Sequence, residues 1–266
     1  MKNNSKNYLF LGLPKSGKTT YFSLMAYHLQ QLANKSDHLH FLYLPTKSVD
    51  ESTGVETESD ITSDFIGDCI DRLTHQKWPK KTQDYSCGYS FEFHKLPKWF
   101  KSYGGNNAVI DYHDYPGEAF EEAFGEPENA TEEMKKYAEN MKDRIRTAEG
   151  IILILDANEL FNGTENSKYG RNIVRLFRYI RETNEEVKVS VVFNKLELFF
   201  DEEIDFRTQL RKKYGNAYSY LRLLNYRIFD VYPLGTVTTG DDGKIYPPTK
   251  IVPRNILEPI RWMIGF

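Results

Sequence analysis

The sequence predicts an α/β protein: a mostly parallel sheet with helices on both faces and one antiparallel hairpin at its edge. Three observations carry this. The run Ile151-Ile152-Leu153-Ile154-Leu155 has no polar alternation, which is how a strand buried on both faces reads. Such runs alternate along the chain with stretches of helical periodicity, the pattern of βαβ units. Tyr89, Phe91 and Phe93 instead alternate with Ser90, Glu92 and His94, the period-two signature of a strand with one buried face.

The elements follow in order. Tyr8-Leu9-Phe10-Leu11 reads as a strand, and a helix is expected from Lys18 to about Ala33. His40 to Leu44, stopped by Pro45, is a further strand or an extended arm, with His38 and His40 as structural residues. Residues 47 to 60 carry five acids against Lys47 and read as a solvated, mobile loop. Ile61, Phe65, Ile66, Cys69, Ile70 and Leu73 recur at helical spacing. The turn residues Gly104-Gly105-Asn106-Asn107 join the Tyr89 strand to Ala108-Val109-Ile110 as a hairpin. Thr131 caps a helix reaching about Ala148, with Glu132 and Glu133 at the positive end of its dipole. Beyond the Ile151 strand come a helix over 173–183, a strand over 187–193, a helix over 206–214, a strand over 226–231 and a last helix from about Asn255. One domain over 1–266, enlarged at about 35–88 and 118–148, accommodates all of these.

Composition narrows the function classes. With 40% hydrophobic and 27% charged residues the chain can bury a core. A formal net charge of -3 gives no global attraction to nucleic acid or anionic lipid. Cys69 and Cys87 are too few for a disulfide framework and fit a reducing compartment as structural thiols. No apolar run reaches membrane-spanning length, the Lys/Asn-rich start has no signal-peptide core, and the C-terminus has no prenylation cysteine. The expectation is a cytoplasmic protein without a membrane anchor.

Gly12-Leu13-Pro14-Lys15-Ser16-Gly17-Lys18-Thr19 satisfies the P-loop pattern between a predicted strand and a predicted helix. Its glycines let backbone N–H groups turn inward around phosphate oxygens, and the helix presents its positive end to them. Gly12, Pro14, Lys15, Ser16, Gly17, Lys18, Thr19 and Thr20 are therefore candidate nucleotide contacts. Lys18 can reach the β- and γ-phosphates, and the Thr19 hydroxyl can ligate Mg²⁺. Asp111 and Asp114 close the strand that begins at Ala108, at the sheet edge where a carboxylate can hold magnesium or its water shell. Asn194-Lys195-Leu196-Glu197 ends another buried strand.

Together these motifs resemble Ras-like, TRAFAC-class P-loop GTPases, and more narrowly the bacterial double-GTPase families of conflict and defence systems. The narrower likeness is carried by Gly12 to Thr20, Trp78-Pro79-Lys80-Lys81-Thr82, Asp114-Tyr115-Pro116-Gly117-Glu118 and the closing Asn255 to Trp262, nearly the whole chain. The resemblance implies a Ras-like P-loop fold with GTP or GDP as ligand and Mg²⁺ as cofactor. Asp114-x-x-Gly117 takes the place of the DxxG element, which selects Asp114 over Asp111 for the metal and directs the Gly117 N–H to the γ-phosphate. Asn194, Lys195 and Glu197 take the place of the NKxD guanine reader. Glu for Asp keeps the carboxylate and adds a methylene, leaving GTP against ATP preference open. Thr82 falls where a switch threonine closes on Mg²⁺, although an ordinary loop threonine fits it equally well. Glu118 stands where a glutamine orients water; a carboxylate accepts but cannot donate, which implies slow hydrolysis, and a merely solvated acid fits as well. Thr236 falls in a loop under the base. Arg144 and Arg146, on an amphipathic helix, read as exposed cations ahead of a catalytic finger.

The expected function is a Mg²⁺-dependent GTP switch that signals to a protein partner, with Lys18, Thr82, Gly117 and Glu118 in the chemistry and Thr19, Thr82 and Asp114 around the metal. Two rivals remain at this stage: an ATPase or small-molecule kinase on the same cradle, and a nucleotide-bound scaffold with little turnover.

Overall fold

The computed structural model describes residues 6–49, 56–80, 88–95, 106–113, 115, 117–125, 131–199 and 205–265. In chain order the elements begin β1 (Lys6–Gly12), α1 (Lys18–Ala33), β2 (Leu39–Leu44), β3 (Thr46–Val49), β4 (Glu56–Ser59) and α2 (Ile61–Thr74). Then come β5 (Gly88–Lys95), β6 (Asn106–His113), α3 (Gly117–Phe124), α4 (Glu132–Thr147), β7 (Gly150–Asp156), α5 (Ala157–Asn162) and α6 (Lys168–Thr183). The chain continues through β8 (Lys188–Asn194), a 3-10 turn at Leu196–Phe199, α7 (Phe206–Lys213), α8 (Gly215–Leu221) and β9 (Asn225–Asp230). The short strands β10 (Thr238–Thr239) and β11 (Ile245–Tyr246) and the helix α9 (Glu258–Ile264) complete it.

Seven strands form the main sheet in the order β2-β5-β6-β1-β7-β8-β9. β6, β1, β7, β8 and β9 run parallel, β5 is antiparallel to β6, and β2 is antiparallel to β5. This is the expected α/β arrangement, a mostly parallel sheet with an antiparallel pair of strands. The run 39–44 is a strand, and it occupies the sheet edge outside the hairpin. Side-chain alternation along β1 feeds two cores on opposite faces of the sheet. Leu9 and Leu11 join Ile151, Leu153, Phe177 and Val191 under α3 to α8. Tyr8 and Phe10 join Phe22, Phe91, Tyr112 and Ile260 under α1, α2 and α9. Phe10, Phe22 and Tyr112 pack ring against ring, with centroids 4.7 to 5.6 Å apart.

Several sequence expectations are corrected. Residues 47–60 do not form a simple loop, because β3 and β4 pair antiparallel with Lys47 in register with Glu58. Polar strands that pair through their backbones lack the apolar alternation by which strands are read. A helix, α3, begins at Gly117, where the sequence pattern placed no regular element. α6 starts at Lys168 because the Ser167 hydroxyl accepts from the Gly170 N–H at 3.0 Å, five residues before the expected start. The last helix begins at Glu258 and not Asn255, since Asn255 adopts a left-handed φ of 58° and Pro259 sits in the first turn. The 206–214 helix ends at Lys213, and a second short helix follows. Thr131 caps α4 as expected, accepting from the Met134 N–H at 3.2 Å. Cys69 is a buried thiol, whereas Cys87 lies outside the described residues. Among the described residues no helix is long and apolar enough to cross a membrane.

Candidate nucleotide-binding site

β1 ends at Gly12 and α1 begins at Lys18, so residues 13–17 form a connecting loop at the C-terminal edge of the sheet. The loop contains two left-handed residues, Lys15 (φ 64°) and Gly17 (φ 81°), the second of which is the N-cap of α1. A left-handed lysine costs about 1 to 3 kcal/mol and persists only where its surroundings enforce it. No side chain caps the start of α1, and its first turn holds no acidic residue. Its first N–H groups and the positive end of its dipole are therefore open to an anion without a side-chain competitor. Lys18 is half-buried and its ammonium donates to the Leu13 carbonyl at 3.3 Å, which folds the side chain over the loop. The Thr19 hydroxyl lies 3.1 Å from the Tyr112 hydroxyl of β6. Thr20 is half-buried in the same first turn.

The end of β8 closes on this loop. Asn194 is buried, and its amide donates to the Ser16 carbonyl at 2.7 Å. A Cβ at Gly17 would lie 2.6 Å from that amide nitrogen, so the position requires glycine for both its φ and its space. Gly17→Ala should therefore cost about 1 to 3 kcal/mol of stability and weaken nucleotide binding. Urea denaturation checks the first part, and a wild-type midpoint would contradict this packing.

Lys195 is left-handed (φ 65°), and its ammonium pairs with Asp156 Oδ2 at 2.6 Å. Glu197, in the 3-10 turn, is only 8% exposed. Burial pushes its carboxyl up to about 7; its own backbone N–H and the Lys195 charge oppose this, and Asp156 adds to it. Three buried polar atoms on these segments have no partner among the described residues: Ser16 Oγ, Asn194 Oδ1 and Glu197 Oε2. Buried polar groups are nearly always satisfied, so these three atoms on adjoining segments are available to ordered water or to a polar ligand.

On the other side of the loop, β6 ends at His113. Asp114, Thr82 and Pro116 lie outside the described residues. Gly117 does reach the loop: a Cβ there would be 3.4 Å from the Pro14 ring. A recess lined by Gly12, Pro14, Lys18, His113, Tyr115 and Phe120 opens between them. The Tyr115 hydroxyl donates to Asn140 Oδ1 at 2.7 Å, and its ring stacks on His113 at 5.5 Å. Burial, and then the Arg144 charge, pull His113 down to about 3, so its imidazole is neutral. Glu118 is exposed in the first turn of α3.

Other candidates are placed elsewhere. The structure commits Arg144 to Asp111 Oδ2 at 2.6 Å, and Arg146 to Asp143 of its own helix. Asp111 thus anchors α4 to β6. Thr236 is exposed and makes no hydrogen bond among the described residues. The Leu234 carbonyl accepts from Val252 N–H, Leu234 and Gly235 turn inward, and Thr236 is left facing out. In this loop burial, and then Asp230, push the Tyr232 hydroxyl up; Arg254 opposes this and Glu197 adds the smallest push. Ahead of Thr82, the Trp78 indole N–H donates to the Ile245 carbonyl at 2.9 Å, tying the segment to β11.

Sequence reasoning missed Asp156 and Tyr112. Asp156 carried a usable signal, an acid that ends the unbroken apolar run of β7. Tyr112 carried none, since only the register Phe10↔Tyr112 brings it towards α1.

No protein-family model matches the chain, and no curated protein matches it. Solved structures do. The signal recognition particle receptor SRb-GTP/SRX complex from Chaetomium thermophilum aligns at 10% identity over 87% of this chain and 92% of that one, with a TM-score of 0.45. The S. cerevisiae Ski7 GTPase-like domain bound to GTP aligns at 12% identity and a TM-score of 0.46, over 98% of this chain but 49% of its own, so this chain spans about half of that one. A small COPII coat GTPase SAR1 from Encephalitozoon cuniculi in complex with GDP aligns at 14% identity over 87% of this chain and 70% of that one, with a TM-score of 0.37.

Proposed function

We propose that the protein binds GTP with Mg²⁺ at the P-loop, hydrolyses it slowly and switches a surface read by a protein partner. The observation that carries this is the bracing of the phosphate loop by Asn194, with the orphaned atoms of Ser16, Asn194 and Glu197 gathered around it. The uncapped start of α1 and Lys18 bind and orient the phosphates. Asn194, Lys195 and Glu197 hold the base, the carboxylate accepting from its N–H donors. The Thr19 hydroxyl, already within reach of a polar partner, fits a magnesium ligand, and Thr82 and Asp114 are the residues that would join it. Held there, the ion would supply positive charge to offset that of the phosphate oxygens. Tyr115 and Phe120 screen the phosphate side of the site from water.

The exposure of Glu118 and the pairing of Arg144 with Asp111 favour one second reading, a nucleotide-bound scaffold with little turnover. A role in a bacterial conflict or defence system rests on the sequence resemblance alone.

Two measurements test the proposal. Denaturing the purified protein and chromatographing what it releases should yield GDP or GTP, and Mg²⁺-GTP should raise the melting temperature more than Mg²⁺-ATP does. Hydrogen exchange over 78–80 and 117–120 should slow with a non-hydrolysable GTP analogue and slow much less with GDP. A ligand shifts an equilibrium only through differential affinity, so equal protection would rule out a switch and leave the scaffold.

A further inference from the structure

We propose that Asp156 is a positioning residue for the base-binding end of this site, holding the Lys195 ammonium and thereby governing how Glu197 meets the N–H donors of a purine. The inference rests on the reading of that end as a base pocket.

Asp156 is the last residue of β7, in register with Asn194 of β8, and is 3% exposed. Its two carboxylate oxygens have different tasks. Oδ1 accepts from the N–H groups of Asn158 at 2.9 Å and Glu159 at 3.4 Å, capping α5. Oδ2 takes no part in the cap and lies 2.6 Å from Lys195 Nζ. The Asp156 N–H donates to the Tyr169 hydroxyl at 2.8 Å, so the residue is fixed from three sides. A capping role alone explains Oδ1 and leaves Oδ2 unexplained. An asparagine would serve as the cap equally well, so the charge at this position answers to Lys195.

Lys195 in turn lies against the phosphate loop, its Cε 3.8 Å from where a Gly17 Cβ would be. Released from Asp156, its ammonium would turn to the remaining carboxylate, Glu197, two residues on. The charged and titratable groups facing Glu197 are Lys195 from its own turn, Asp156 from the end of β7 and Tyr232 from beyond β9. Lys195 favours the ionised carboxyl and Asp156 opposes it. A guanine edge presents only N–H donors to this carboxyl, so it is bound by the ionised form. Removing the Asp156 charge should therefore let Glu197 ionise at lower pH while Lys195 loses its place on the loop.

The test is the affinity of the full chain for a fluorescent GTP analogue with Mg²⁺, measured from about pH 6 to about pH 9. In the wild type affinity should rise with pH through a midpoint near 7, where Glu197 ionises. Asp156→Asn, which preserves the cap, should lower the alkaline plateau about tenfold and move the midpoint to lower pH. Asp156→Glu should restore the midpoint. Lys195→Gln, a second variant should Asp156→Asn fail to fold, should move the midpoint the opposite way. The proposal is overturned if Asp156→Asn keeps the wild-type plateau and midpoint, or loses affinity evenly at every pH with no recovery in Asp156→Glu. It is equally overturned if the midpoint of Lys195→Gln does not move. Glu197→Ala separates the two levels: wild-type affinity at all pH in that variant removes the base-pocket reading itself, and Asp156 with it.

Discussion

Lys18→Ala is expected to abolish measurable GTP binding, lowering affinity by at least about 100-fold, while the apo protein stays folded. The side chain is half-buried at the surface of the loop and not in either core, and its ammonium donates to the Leu13 carbonyl, a contact whose loss costs about 1 kcal/mol. Against a triphosphate the same ammonium makes charge-assisted bonds in a partly dry site, roughly twice as strong each as neutral ones. A ligand at 100 times its dissociation constant stabilises by about 2.7 kcal/mol, so the loss is readable as a vanished thermal shift. Thr19→Ala should remove the Mg²⁺-dependent part of that shift and release Tyr112. A wild-type shift in both variants would overturn the assignment of the P-loop.

Glu197→Gln is expected to stabilise the apo protein and damage its base selectivity together. In the folded chain the carboxyl titrates at about 7, against 4.5 when unfolded. Between those values the unfolded chain binds fewer protons than the folded one, so the wild type loses stability as pH rises from 4.5 to 7. Above that window the full penalty applies, on the order of 3 kcal/mol; below it there is none. The neutral amide escapes it. Denaturation at pH 8 should therefore show the variant more stable, with the advantage gone at pH 4. The amide donor would face guanine donors, costing about 1 to 3 kcal/mol of GTP affinity while sparing ATP. Equal stability at pH 8 would show that Glu197 is not held in a desolvated place.

The proposed phosphate end of the site was legible because it is local: eight consecutive residues between a strand and a helix carry the whole P-loop pattern. Asn194 and Glu197 were legible for a related reason, since they end a buried apolar run. What joins these pieces was not legible. The Asn194–Ser16 bond spans 178 residues, Thr19–Tyr112 spans 93 and Asp156–Lys195 spans 39. Each depends on strand order, which periodicity does not encode. In the fold, apolar strands and amphipathic helices announced themselves, and errors fell where backbone pairing or a single residue decided. The β3–β4 pair is polar, Ser167 extends α6, and the left-handed Asn255 delays α9. Asp114 and Thr82 lie outside the described residues, so their place at the metal rests on the sequence resemblance.

The position of β2 bears on how this protein behaves in concentrated solution. As the last strand in the order it has, among the described residues, one row of backbone donors and acceptors without a strand neighbour, and Leu42 on it is 57% exposed. An edge of that kind is a template on which another chain can add a strand. The opposite edge, β9, carries Arg227 and Asp230, charges that discourage such pairing. Self-association by strand addition would thus run through β2. That flank is separated from β1 by β5 and β6, so Leu42→Lys should blunt it without touching the proposed nucleotide site.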